Sequence, residues 1–144
     1  MTGIRRLFAG MHIASSALRA ERVRVDTIAK NIAHAGTTKM PDTGEPYRRE
    51  VVRFEPELTR SRDGNQVIQG LKAPTVQQDF TTPFEEVLDP GHPDANEEGI
   101  VRMPNVNAVR EMADMITSLR AYEANLKVAE NFERMAERAL RLAE

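Results

Sequence analysis

The chain has 144 residues and a formal net charge of −2, with 40 % hydrophobic, 29 % charged and 5 % aromatic residues. That length suits one domain and is too short for a barrel or doubly wound nucleotide-binding enzyme, while the near-neutral charge does not suit a protein held to nucleic acid by phosphate contacts. With no cysteine there is no disulfide, zinc-thiolate site, iron–sulfur cluster or thiol nucleophile, and no stretch approaches the ~20 apolar residues of a membrane span, so direct membrane insertion is not expected.

Arg5 and Arg6 precede a short apolar run, Leu7-Phe8-Ala9-Gly10-Met11, which His12, Ser15, Ser16 and Arg19 then interrupt. The helical pattern continues through this region to Ala35, so it reads as mature protein rather than a cleavable leader. In residues 1–35, Ile4, Met11, Leu18, Val25 and Ile32 recur every seven residues, with Leu7, Ala14 and Ile28 between them and Glu21 as the one break. An a/d seam sustained over four heptads predicts a helix that packs lengthwise on another.

All eight prolines lie between Met40 and Asn105, and six of the eight glycines between Gly36 and Gly99. Proline removes a helix donor and clashes with the preceding turn, so residues 36–104 cannot be one helix. This middle segment is also the acidic part of the chain, with thirteen Asp and Glu against eight Lys and Arg. Short strands are expected at Tyr47–Phe54, Val67–Ile68, Thr75–Val76, Phe84–Leu88 and Ile100–Met103, with turns at Asp63-Gly64-Asn65 and Asp89-Pro90-Gly91.

Residues 105–144 repeat the heptad pattern, with Met112, Leu119, Leu126 and Leu140 in one row, Met115, Tyr122, Ala129, Ala136 and Ala143 in the other, and Glu133 as the break. Ile116 adds to the face, and Val128, Phe132, Met135, Ala139 and Leu142 widen it toward the end. Asn105 or Asn107, behind Pro104, is the expected N-cap. The fold class is therefore mainly α: two long terminal helices packing as a coiled-coil-like hairpin, with a small extended or β-rich middle. The domains are 1–35, 36–104 and 105–144.

Chemistry is scarce. Asp89, His92, Asp94, Asn96, Glu97 and Glu98 form the one cluster with metal-ligand side chains, but a single histidine in a Pro/Gly-rich turn lacks the geometry of a zinc site or a calcium loop. His12 and His34 would stand roughly 33 Å apart on a straight helix and cannot share a metal. No serine has a nucleophile-elbow context, and no glycine-rich phosphate loop is present. No catalytic, cofactor or metal site is expected. Helices at both chain ends, seams wider than one partner can cover and little chemistry point to a subunit that completes its fold by assembling. A coiled-coil adaptor of fixed stoichiometry is the alternative, and a small carboxylate-dependent hydrolase a distant third.

Residues 89–107, Asp89-Pro90-Gly91-His92-Pro93-Asp94-Ala95-Asn96-Glu97-Glu98-Gly99-Ile100-Val101-Arg102-Met103-Pro104-Asn105-Val106-Asn107, resemble the hallmark segment of FlgC-type flagellar basal-body rod proteins. Glu111–Ile116 and Arg120–Asn125 continue the likeness. Ala29-Lys30-Asn31-Ile32-Ala33-His34-Ala35 resembles the asparagine-rich motif of flagellar rod and hook proteins, with His34 where asparagine is usual, and Gly44-Glu45-Pro46-Tyr47-Arg48-Arg49 matches the start of the family's first strand. The resemblance implies a structural subunit of the proximal rod, the motor's drive shaft in the periplasm, exported unfolded by the flagellar type III apparatus without a cleavable signal. It implies assembly with copies of itself, other rod proteins and the rod–membrane-ring junction protein, with no nucleic acid. The expected assembly seam is Ile4, Leu7, Met11, Leu18, Val25, Ile28 and Ile32 against Met112, Met115, Ile116, Leu119, Tyr122 and Leu126, extended by Phe132, Met135, Leu140 and Leu142.

Overall fold

The computed structural model describes residues 2–60 and 66–141, with side chains from Phe8 onward. Among these residues two long helices enclose six short strands in chain order: α1 (Thr2–Ala33), β1 (Glu50–Arg53), β2 (Pro56–Arg60), β3 (Gln66–Leu71), β4 (Thr75–Gln78), β5 (Glu85–Leu88), β6 (Ile100–Met103) and α2 (Ala108–Arg141). Both helices occupy the proline-free ends. α2 begins where Asn107 accepts the Arg110 amide on Oδ1 at 3.0 Å and the Glu111 amide on its carbonyl at 2.9 Å, so Asn107 is the cap. Arg138 and Arg141 lie in its last turn, where positive charge suits the helix dipole.

The chain forms two compact units. One comprises Met1–Arg24, Arg53–Thr75 and Thr117–Glu144. In it β2 and β3 form an antiparallel hairpin, with Leu58 opposite Ile68, Thr59 opposite Val67 and a register shift at Glu57/Leu58. The base of the hairpin is tied to α1. The Leu71 amide donates to Ser16 Oγ (3.1 Å), which itself donates to the Ile13 carbonyl (2.7 Å), and His12 Nδ1 donates to the Gln69 carbonyl (3.2 Å). Gly70 permits this approach, because a Cβ there would stand 2.9 Å from Ser16 Oγ. On the same helix Gly10 lies under the Phe132 ring of α2. Ala14, Ala20, Ser16 and Ser118 are buried.

The other unit comprises Val25–Val52 and Val76–Ile116. Here β1 pairs with β4, and β5 pairs antiparallel with β6, setting Val87 opposite Val101. Its buried residues include Ile28, Tyr47 and Val101 together with the polar Thr27, Asn31, Asn105 and Glu111. A core this small and polar depends on complete hydrogen bonding as much as on apolar burial.

Five of the six strands overlap segments expected from the sequence. The exception is β2, whose residues Pro-Glu-Leu-Thr-Arg are all exposed and show no strand-like alternation; its strand form comes from pairing with β3. The expected turn Asp63-Gly64-Asn65 lies outside the described residues.

Candidate functional site

Asn31, near the end of α1, is the centre of a buried polar network in the second unit. Its Nδ2 donates to the Glu111 carboxylate (3.0 Å) and to the Glu50 carbonyl (2.9 Å), while its Oδ1 accepts from the Tyr47 hydroxyl (2.9 Å) and the Glu50 amide (2.9 Å). Two donors and two acceptor positions are the whole capacity of an amide side chain. Aspartate has no N–H groups for two of these partners, so only asparagine fits all four. The other oxygen of Glu111 takes Arg49 Nε and Nη2, both at 2.7 Å. Glu111 is 1 % exposed, and the pairing removes the penalty of an isolated buried charge. Burial first, then the charges of Glu50 and Glu111, raise the Tyr47 phenol above its usual range and keep it a donor. His34 stacks on the Tyr47 ring at 4.7 Å, and its Nδ1 meets Thr37 Oγ1.

Asn105 joins the network from the approach to α2. Its Oδ1 accepts the Arg49 amide (2.7 Å), and its Nδ2 donates to the carbonyls of Asp79 (3.1 Å) and Thr82 (3.0 Å). Asp79 is itself a turn anchor, accepting the amides and hydroxyls of Thr81 and Thr82. Those bonds, the Thr81 hydroxyl foremost, hold its carboxyl well below the usual carboxylate range. Arg48 lies between the rings of Phe80 and Phe84, at 4.6 and 4.2 Å, and Arg102 lies over Phe84. Asn105 thus ties three segments together rather than capping α2.

The Asp89–Gly99 motif is a turn bonded to itself. Asp89 Oδ1 accepts the Gly91 amide, His92 Nδ1 accepts the Asp94 amide, and Asn96 Oδ1 accepts the amides of Glu98 and Ile100. The Asp89 amide returns to the Gly99 carbonyl at 2.9 Å, closing the loop. Gly99 has φ 74° and Pro90 packs on it, with Cγ 2.9 Å from where a Cβ would stand. Any L-residue at 99 would be strained and crowded. Of the side chains that resemble ligands by sequence, Asp89, His92 and Asn96 therefore bond the turn's own backbone. Among the described residues no group of three His, Asp or Glu could hold a metal.

The helices present two faces each. On α1 Ile28 is buried and Met11, Leu18, Val25 and Ile32 are half-buried. Ile4 and Leu7 lie on α1, but their side chains fall outside the described residues, as does all of Leu142. On α2 the most covered row is polar, with Glu111 1 % and Ser118 0 % exposed. Met115, Tyr122 and Phe132 beside it are half-buried. The apolar row is the open one: Met112 is 52 %, Ile116 55 %, Leu119 44 % and Leu126 41 % exposed, and Met135 and Leu140 are exposed too.

Residues 97–142 match the family model described as the C-terminal region of flagellar basal body rod FlgEFG proteins. The chain is 37 % identical to the flagellar basal-body rod protein FlgC of Borreliella burgdorferi, over 93 % of this chain and 95 % of that one. It belongs to the FlgC family. Identity to FlgC of Bacillus subtilis is 35 %, over 94 % of this chain and 97 % of the relative, and to FlgC of Salmonella typhimurium 35 %, over 92 % and 94 %. As a FlgC-family protein the chain is a structural subunit of the flagellar basal-body rod, serving motility, and not an enzyme. That displaces the adaptor and hydrolase alternatives. Hydrogen bonds and packing give the motif residues a physical role: Asn31, Asp89, Pro90, His92, Gly99, Asn105 and Asn107 each hold a turn, a cap or the buried network. Gly91 is held by Asp89, Pro93 is exposed in the same turn, Met103 ends β6, and Pro104 is buried ahead of the cap. Asn31 and Asn105 were legible as motif positions, as were Arg49 and Glu111 within Gly44–Arg49 and Glu111–Ile116, but nothing in a single sequence marked them as partners, and Asp79 carried no signal.

Proposed function

We propose that this chain is a subunit of the proximal rod, polymerising through its terminal helices into the periplasmic drive shaft that passes torque from the motor. The observation that carries this reading is the inverted patterning of α2. Polar Glu111 and Ser118 are turned inward, while Met112, Ile116, Leu119 and Leu126 are 41–55 % exposed. Water-exposed apolar stripes of this length are stable when another surface covers them. Copies of the same chain and other rod proteins are the occupants, with the rod–membrane-ring junction protein at the rod's base and the flagellar type III apparatus delivering the chain.

A coiled-coil hairpin of α1 and α2 is part of the proposal. Each unit supplies one contact that supports it, Gly10 with Phe132 and Asn31 with Glu111. The separations along the two helices are equal, three heptads each. The segment 36–104 supplies register between neighbours, and the terminal segments 1–35 and 105–144 supply the seams.

The test is Leu119→Asp expressed in a host lacking its own copy. The purified variant keeps wild-type helicity, because the side chain is already in water, yet the cells stop at the membrane ring without rod, hook or filament. Complete rotating flagella with this variant would remove the stripe from the assembly interface. Complete flagella in the deletion strain itself would remove the rod function.

A further inference from the structure

His92 sits at the middle of the Asp89–Gly99 turn as a hydrogen-bond acceptor. Its Nδ1 faces the backbone amide of Asp94 at 3.1 Å, and the same residue's carbonyl takes the Ala95 amide at 3.1 Å. An imidazole nitrogen that accepts an N–H carries no proton of its own, so this bond requires the tautomer with its proton on Nε2. Imidazolium has N–H on both nitrogens, and two N–H groups then point at each other across that gap. The turn as built is compatible with one protonation state only.

The bond also positions Asp94. Thr38 Oγ1 donates to Asp94 Oδ2 at 2.7 Å, the hydrogen bond that clasps the 38–46 loop to the turn. Between them is a cleft of about 370 Å³ lined by Lys39, Gly44, Glu45, Pro46, Pro93, Ala95, Ile100 and Arg102 among others. We infer that protonation of His92 releases the Asp94 amide, loosens the Thr38–Asp94 clasp and opens this cleft, making the contact between loop and turn pH-sensitive. The turn that carries His92 also carries Asp89, Asp94, Glu97 and Glu98, and the cleft beside it is lined by Lys39 and Glu45 from the facing loop and Arg102 from β6. Histidine is the side chain whose unperturbed charge change falls between pH 5 and 8.

The experiment is amide hydrogen exchange on the full chain at pH 8.0 and 5.0, each rate divided by that of an unstructured peptide at the same pH. Protection at Asp94 falls roughly tenfold or more on acidification, and Ala95 follows, while Asn31 and Asn105 in the buried network do not change. His92→Asn keeps an acceptor at the same place without a titrating group, and its Asp94 protection is the same at both pH values. Equal protection of Asp94 at pH 8.0 and 5.0 in the wild type, or an unchanged pH response in His92→Asn, overturns the inference. Nitrogen-15 shifts of the wild-type ring give an independent check that needs no variant: neutral His92 carrying its proton on Nδ1 is equally fatal to it.

Discussion

The side chains of Asn31 and Glu111, eighty residues apart in the sequence, share a buried hydrogen bond of 3.0 Å. It ties the last turns of α1 to the first turn of α2, and it turns the Glu111 row of α2 inward. The apolar row beside it is thereby left exposed.

Asn31→Ala removes four hydrogen bonds at once and leaves a buried carboxylate oxygen and a buried phenol short of partners. The expected loss is about 1–3 kcal/mol for each group that stays buried without a replacement. Asn31→Asp costs more, because it sets a second carboxylate against Glu111 in a site closed to water. Urea denaturation followed by circular dichroism ranks the three proteins, and an aspartate variant as stable as wild type would contradict the assigned donor role.

Arg49 and Glu111 form a double-mutant cycle. Removing Arg49 alone strands a carboxylate that is 1 % exposed, a loss of about 3–5 kcal/mol. Replacing both, as Arg49→Met with Glu111→Leu, returns much of that, since a packed apolar pair of similar volume has no charge to desolvate. A double variant whose loss equals the sum of the two single losses would show that the pair is not coupled.

Gly10→Ala reverses the ordinary helix preference. In an open helix the change stabilises by about 1 kcal/mol. Here the new Cβ would lie 2.4 Å from Phe132 Cζ and 2.6 Å from Cε1, so the ring must move off its seat. The variant is expected to melt at a lower temperature than wild type, by about 1–3 kcal/mol of overpacking. With Phe132→Leu in the background the sign of the Gly10→Ala effect returns to stabilising.

Two groups set opposite limits in pH. The Asp79 carboxyl is held below its unfolded value by the Thr81 and Thr82 hydroxyls and amides, so its contribution is present above pH ~4 and is lost as pH falls below that. Asp79→Asn is less stable at neutral pH and shows a shallower acid limb. Burial and the neighbouring carboxylates raise the Tyr47 phenol, so its contribution is intact below pH ~10 and declines as pH rises beyond. Tyr47→Phe flattens that alkaline limb. Thermal melts from pH 2 to 11 check both signs.

Much of the chain's layout was legible without coordinates. Proline confined to 41–104 separated the helices from the strands because proline bars a helix interior wherever it occurs. Asn107 was readable as a cap from its place after Pro104, and the Asp89–Gly99 motif as a turn from its Pro and Gly. β2 was not legible, since Pro56–Arg60 has no period of its own and is a strand only because β3 runs beside it.

The sequence by itself determined two long amphipathic helices at the chain ends, because heptad spacing and the absence of breakers are local properties. It could not decide which row of α2 turns inward. Met112, Leu119 and Leu126 are the more apolar choice, and periodicity ranks rows by hydrophobicity alone. Tertiary structure chose the row of Glu111 and Ser118, because Arg49 and Asn31 converge on Glu111 from distant parts of the chain. A charge that finds complete partners can be buried where an apolar side chain would leave those partners unpaired.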